Sequence, residues 1–244
     1  MKSIQPHEAT CQAIQVKVNK EKELTHEKSQ RSRAFLFAAL GAVIAHMYGL
    51  KRVKFYENSI VTCHLPFDCQ TPQARRTRST HPLFLKRMGA LVSTLIDADF
   101  SSENPYLCLS KTDVVLRLKE LGQQVQIEKT RSCAGAIFRY PETHCGLCSQ
   151  CLDRRFATLA ARCAENDPEQ LYKVELFLGR RSKVRDRAMA AGFVGFAQKV
   201  KGMSREHFAQ MFVNELADIK SGLNEDADRV FNRATWDAGK EAQR

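Results

Sequence analysis

The sequence predicts an α/β domain built on a parallel sheet, carrying a cysteine-rich metal knuckle and followed by a helical extension. Three observations point there: a strand–helix–strand order near the N-terminus, four cysteines crowded between residues 133 and 151, and a change of character after residue 163. Strand, buried helix and strand in succession form the repeating unit of parallel α/β sheets.

"AIQVKVN" (13–19) alternates apolar and polar residues and reads as the first strand. Ser32 or Ser29 can cap a helix that runs through an Ala-rich segment to Tyr48 and stops at Gly49. Its apolar run, residues 34–50, is short for a bilayer, which takes about 20 residues, and it contains His46. A buried helix is the expectation. "RVKFYE" (52–57) reads as a second strand, with "SIV" continuing near it. Residues 64–82 hold three of the seven prolines and no period, the mark of a long functional loop.

A helix over 82–99 opens on Pro82. Residues 104–122 give a short extended piece, then a helix capped by Ser110 with Asp113 three residues on, ending at Gly122. "VQIEKTRSC" (125–133) is a third strand candidate. After Cys151, "LDRRFATLAARCAEN" and two or three more helical segments follow. The expected organisation is an α/β domain over 1–163, with its metal site at 133–151, and a basic helical extension over 164–244.

An apolar fraction of 43% with 27% charged residues is ordinary for a soluble globular chain. The N-terminus has no continuous apolar core of a secretory signal, so a cytoplasmic location is expected. In a reducing compartment, clustered cysteines are metal ligands or catalytic thiols before they are disulfides, and an odd total of nine agrees. The 38 Lys and Arg against 27 Asp and Glu leave a net charge of +11, gathered in 74–78, 153–155 and 179–187. Such segments are either solvated surface or contacts for nucleotide phosphates, nucleic acid or acidic partners.

Cys133, Cys145, Cys148 and Cys151 form C-x11-C-x2-C-x2-C. A C-x2-C step lets two thiolates grip one ion while the backbone between them turns, which Gly146 eases. Four thiolates make the tetrahedral set that structural Zn²⁺ takes. His144 competes as fourth ligand or stands behind the ligands, and an iron–sulfur cluster is the other chemistry open to such a run. Arg131, Arg154 and Arg155 lie near enough in sequence to offset the thiolate charge. Cys11, Cys63, Cys69, Cys108 and Cys163 read as ordinary thiols, two of them, Cys63 and Cys69, in or beside the long loop.

Taken together, "SQRSRAFLFAALGAVIA", "ENSIV", "TRSTHPLFL", "NPYLCLSKTDVVLRL" and "CAGAIFRYPETHCGLCSQCLDRRFA" resemble the QueC family, the 7-cyano-7-deazaguanine synthases. They are more similar still to the QueC-like proteins of Qat-type anti-phage gene clusters. The resemblance covers residues 10 to 163, and its most specific element is the cysteine segment with the following Arg-Arg. It implies an adenine-nucleotide α-hydrolase-like (HUP, Rossmann-like) parallel sheet, with zinc and ATP as cofactors. It also implies ATP-dependent amidation, then dehydration, of a deazapurine carboxylate. Matched residue by residue, the four cysteines are the zinc ligands. Ser32 and Arg33 fall in the nucleotide-side segment, and Glu57 and Asn58 sit at a strand end. Thr77, Arg78, Thr80 and His81 fall in the substrate-facing loop, and Lys111 is the lysine that opens the next helix.

The family's S-G-G-x-D-S loop, whose glycines let backbone amides cradle pyrophosphate, has no match here: the chain has no Gly-Gly pair and no glycine before Gly41. The predicted α/β fold is therefore partial, with the phosphate-binding half missing. The function expected is QueC-like ATP-dependent carbon–nitrogen ligation, in defence rather than in queuosine biosynthesis. Two readings from other classes stand beside it. One is a non-catalytic zinc-stabilised subunit of a defence complex; the other is a basic nucleic-acid-binding module.

Overall fold

The structure, a computed structural model, describes residues 13–17, 31–63, 80–133 and 143–223. Thr77, Arg78 and Cys69 lie outside the described residues.

Helix α1 (Arg31–Met47) turns Ala34, Ala38, Ala42 and Ala45 inward, one residue per turn on a single face. Gly49 ends it with φ 68°, as the amide of Leu50 reaches back to the carbonyl of Ala45 (2.8 Å). The helix is not buried all round: Phe35, Phe37, Val43 and Met47 are exposed on its other side. Ser32 lies inside its first turn and so is not its cap. Among the described residues no helix is long and apolar enough to cross a membrane.

Strand β1 (Arg52–Lys54) pairs in parallel with β2 (Ser101–Glu103), with Arg52 opposite Ser101 and Lys54 opposite Glu103. Between them run a short α2 (Ser59–Cys63) and α3 (Pro82–Ile96). Helix α3 lies so close to β2 that a Cβ on Gly89 would meet the Phe100 carbonyl at 3.2 Å. Met88 and Val92 of α3, Ala38, Ala42 and Ala45 of α1 and Phe100 make one apolar core with Val53 and Phe55. Among the described residues the parallel α/β expectation holds in reduced form, as a two-stranded parallel sheet amid helices.

Three local expectations do not hold. Residues 13–17, part of the strand expected over 13–19, pair with no strand among the described residues, and Ile14 and Val16 are about half exposed. "SIV" belongs to α2, where the amide of Thr62 bonds to the Asn58 carbonyl (3.0 Å). The third strand candidate contains instead the short α5 (Gln126–Lys129). Its alternation of apolar residues found no sheet edge, because the carbonyls of Ile127 and Thr130 accept from the Arg154 guanidinium. Conversely β2 falls on Ser-Ser-Glu, too polar to read as a strand, and it exists because β1 and α3 supply its partners.

Helix α4 (Lys111–Glu120) begins with the predicted reciprocal cap: Ser110 Oγ accepts from the Asp113 amide (3.1 Å), and Asp113 accepts from the Ser110 amide (2.9 Å). It packs on α6 (Ser149–Ala160), which carries the last cysteine of the cluster. Two 3₁₀ turns follow, then α7 (Val184–Val200), α8 (Arg205–Met211) and α9 (Val213–Gly222). Phe196, Val200, Phe208, Leu216 and Ile219 of these helices, with Phe212 between the last two, share a core with Cys63 and Leu107, so the extension is fused to the α/β part. Helix α9 lies along α3, and a Cβ on Gly222 would come within 2.1 Å of the Leu83 amide nitrogen.

Candidate metal centre and strand-end site

Cys133 lies in an irregular segment, Cys145 and Cys148 sit on a knuckle, and Cys151 lies in the first turn of α6. Their sulfurs all lie within 4.8 Å of one another. The individual separations are 3.4 Å for Cys148–Cys151, 3.9 Å for Cys145–Cys151 and 4.0 Å for Cys133–Cys148. A tetrahedral ion with metal–sulfur bonds of about 2.3 Å needs sulfur–sulfur edges of about 3.8 Å. Four sulfurs converging at that spacing suit one ion, and the donor set is compatible with zinc.

The knuckle is shaped for this. Gly146 has φ 72°, and a Cβ there would sit 1.8 Å from the Val174 carbonyl oxygen. The amide of Leu147 turns back to the Cys145 sulfur (3.3 Å). Without a cation the thiols compete for one negative charge. Donation from Cys148 and Cys151 pulls the Cys145 thiol far down, and its thiolate in return holds Cys148 up at about 11 and raises Cys151 as well. A divalent cation replaces those protons.

His144 is not one of the converging ligands. It is fully buried, its ring packs 4.9 Å from that of Tyr172, and neither ring nitrogen has a partner among the described residues. Burial, helped by Arg154, lowers it to about 4, so the ring is neutral. Its backbone does the structural work: the His144 amide bonds to the Leu171 carbonyl and the Lys173 amide to the His144 carbonyl, 2.9 Å each.

Arg154 and Arg155 do not spend their donors on the thiolates. Asp167, fully enclosed, accepts from Arg154 Nε (2.7 Å), Thr158 Oγ1 (3.0 Å) and the Tyr172 hydroxyl (2.8 Å). Arg155 donates to the Asp167 backbone carbonyl. Segment 164–172, read as the start of the extension, is thus knit beneath the metal knuckle. Nothing in the sequence marked Asp167 or Tyr172, since a surface Asp-Pro turn looks the same in one dimension.

A second cluster sits at the carboxyl ends of β1 and β2. Thr80 Oγ1 donates to Glu57 Oε2 (2.6 Å), and Thr62 and Thr80 share a hydrogen bond (3.2 Å). Asn104 Nδ2 donates to the Glu57 carbonyl (2.8 Å) and to Thr62 Oγ1 (2.9 Å). Two candidates from the sequence, Glu57 and Thr80, therefore meet, and Thr62 and Asn104 join them unforeseen. Asn58 is buried beside them in sequence, its carbonyl accepting the Thr62 amide (3.0 Å).

The other candidates are placed differently. His81 caps α3, its Nδ1 accepting from the Leu83 amide (3.3 Å). Ser32 and Arg33 are exposed on α1, with the Arg33 guanidinium 5.5 Å from the centre of the Phe37 ring. Lys111 pairs with Asp153 of α6 at 2.6 Å. Cys63 is enclosed, and burial raises its thiol to about 12, so it is an inert core residue.

Among known proteins, the family model described as "Queuosine biosynthesis protein QueC" matches residues 1–162. That is about two thirds of the 244 residues. No curated protein and no solved structure matches the chain.

Proposed function

This chain belongs to the QueC family, and from that premise we propose that it serves ATP-dependent carbon–nitrogen ligation on a deazapurine or a related carboxylate. We further propose an adenine-nucleotide α-hydrolase-like fold for it and a Qat-type role in cytoplasmic anti-phage defence. The observation that carries the ligase proposal is the set Glu57, Thr62, Thr80 and Asn104. It lies at the carboxyl ends of two parallel strands, where open α/β sheets hold their ligands. Thr80 orients the Glu57 carboxylate, which can accept N–H groups of a purine-like ring. Asn104 fixes the turn that carries Glu57.

Zinc, held by Cys133, Cys145, Cys148 and Cys151, would supply folding free energy and tie Cys133 and the 145–148 knuckle to α6. A closed set of four thiolates has no open position for substrate. The pyrophosphate of ATP needs a cradle of backbone amides, and this chain has no Gly-Gly pair to build the family's loop. We assign that half of the site to polypeptide outside the described residues, including a protein partner of the same defence complex.

A second reading, a non-catalytic zinc-stabilised subunit, is favoured by one observation: Lys111 is tied to Asp153 and not to the strand-end cluster. The test is calorimetric titration of the zinc-loaded protein with 7-carboxy-7-deazaguanine. Binding that weakens about tenfold or more in Thr80→Val and Glu57→Gln supports the ligase reading. No binding at millimolar ligand, with zinc content intact, overturns it in favour of the non-catalytic subunit. Sustained AMP release by the isolated chain would overturn the assignment of the phosphate cradle to other polypeptide.

A further inference from the structure

Segment 173–187 leads from the 3₁₀ turns into α7 and lies wholly outside the residues that the family model matches. It holds six Lys and Arg against Glu175 and Asp186, a net charge of +4 and over a third of the +11 of the whole chain. The segment is held in shape from within and from the metal knuckle. The Glu175 carboxylate accepts from the amides of Phe177 (2.9 Å), Leu178 and Gly179 (3.1 Å), which closes a tight turn. Arg181 Nη2 donates to the carbonyls of Leu176 (2.8 Å) and Gly146 (3.1 Å), pinning the turn to the knuckle between Cys145 and Cys148. Arg187 Nη1 donates to the carbonyls of Ser182 (2.6 Å) and Arg181 (3.0 Å), which fixes the stretch before α7.

Three cations are left over from this bracing. Arg180, Lys183 and Arg185 are exposed, and none has a hydrogen bond or ion pair among the described residues. They fall within six consecutive residues, a length of chain that spans at most about 18 Å even when extended. That is close to twice the screening length of about 8–10 Å at physiological salt, so their fields overlap. Asp186 is the one acidic residue between positions 179 and 187. Beside the cations, the Phe177 ring is 51% exposed and is braced edge-on by Phe156 (5.8 Å, 82°). Phe156 in turn stacks on Phe193 of α7 (5.6 Å, 12°), so the exposed ring stands on a packed aromatic base. Like charges gathered without a countercharge repel one another, and a polyanion relieves that repulsion.

We infer that segment 177–185 is a docking surface for single-stranded nucleic acid. Arg180, Lys183 and Arg185 hold backbone phosphates, and the Phe177 ring stacks on an unpaired base. An anionic lipid surface attracts the same charge, but fluid headgroups have no use for a ring held at a fixed angle. A planar Arg fork also matches a phosphate bidentately, and two of the three cations are Arg. The surface is built on the metal knuckle through Arg181 and Gly146, so the metal centre holds it in place.

The test is fluorescence anisotropy of the zinc-loaded full chain with a labelled, mixed-sequence DNA strand of about 20 nucleotides. Three phosphate contacts predict binding that weakens about twentyfold as salt rises from about 50 to about 200 mM. Arg180→Gln, Lys183→Gln and Arg185→Gln together are expected to weaken binding about tenfold or more and to flatten the salt dependence, with melting temperature near wild type. Lys199→Gln, Lys201→Gln and Arg205→Gln remove the same charge beyond the far end of α7, and are expected to weaken binding by less than about threefold. Phe177→Leu keeps an apolar contact with Phe156 but removes the flat ring, and is expected to weaken binding about fivefold or more. A duplex of the same sequence is denser in charge, yet is expected to bind more weakly because its bases are already stacked. No binding at micromolar protein overturns the inference, and so does an equal loss in the two triple variants or a duplex bound as tightly as the single strand. Binding to phosphatidylserine-containing vesicles without binding to the strand overturns it in favour of a membrane surface. No ATP or deazapurine enters the assay, so the outcome is independent of the ligase proposal.

Discussion

Replacing Asp167 by Asn removes one negative charge and almost no volume from the polar site beneath the metal knuckle. Asp167 is 0% exposed, Arg154 4% and Arg155 7%, so the two guanidinium groups would be left buried with their countercharge gone. The amide can still accept one of the bonds now made by Arg154, Thr158 and Tyr172, but its NH₂ group would face donors. Removing one partner from a buried pair costs about 3–5 kcal/mol, against a total stability of about 5–15 kcal/mol for a domain. At about 2–4 °C per kcal/mol for a chain of this size, melting falls by about 6–20 °C. Thermal and urea unfolding of the zinc-saturated protein would measure it. Glu169→Gln is the internal control: Glu169 also pairs with Arg155, at 3.5 Å, but is 63% exposed. Screening by solvent limits its loss to about 0–1 kcal/mol. An Asp167→Asn protein melting within about 2 °C of wild type, or an equal loss in the control, would refute the reasoning.

Purified protein is expected to carry about one zinc per chain and to be colourless, since four sulfurs converge on one point. Brown colour with absorbance near about 400 nm would mean an iron–sulfur cluster instead. Because the ligands must lose protons to bind, the zinc-loaded folded state holds fewer protons than the unfolded chain, so stability is lost as pH falls. A chromophoric chelator should therefore record release on acidification, and a flat profile would contradict the site. Gly146→Ala is expected to lower stability well beyond Gly49→Ala. Both positions have positive φ, but a Cβ at 146 would strike the Val174 carbonyl while one at 49 meets open space. Equal denaturation midpoints for the two variants would show that the knuckle does not depend on that close approach.

Much of the local architecture was legible because the signals are local. The Ser110–Asp113 cap, Pro82 at the start of α3 and Gly49 after α1 act within one helical turn, so residue type is enough to read them. The four cysteines were legible for a similar reason: spacing alone brings Cys145, Cys148 and Cys151 to one point once the backbone turns at Gly146.

What the sequence by itself determined, then, is the set of elements bounded by such local chemistry, the metal-binding chemistry of the thiols, and kinship with QueC. Tertiary structure decided which chemically similar segments became strands, and which charges were buried. "VQIEKTRSC" has better strand character than "SSE", yet Arg154 captured the carbonyls of the first while β1 captured the second. Lys111 became half of an ion pair with Asp153, forty-two positions away, and Asp167 became the centre of a buried network. In both cases the partner is supplied by packing of α4 on α6 or of the 3₁₀ turns beneath it. Hydrogen bonds and ion pairs form between groups close in space, and closeness between distant segments exists only once the core has assembled.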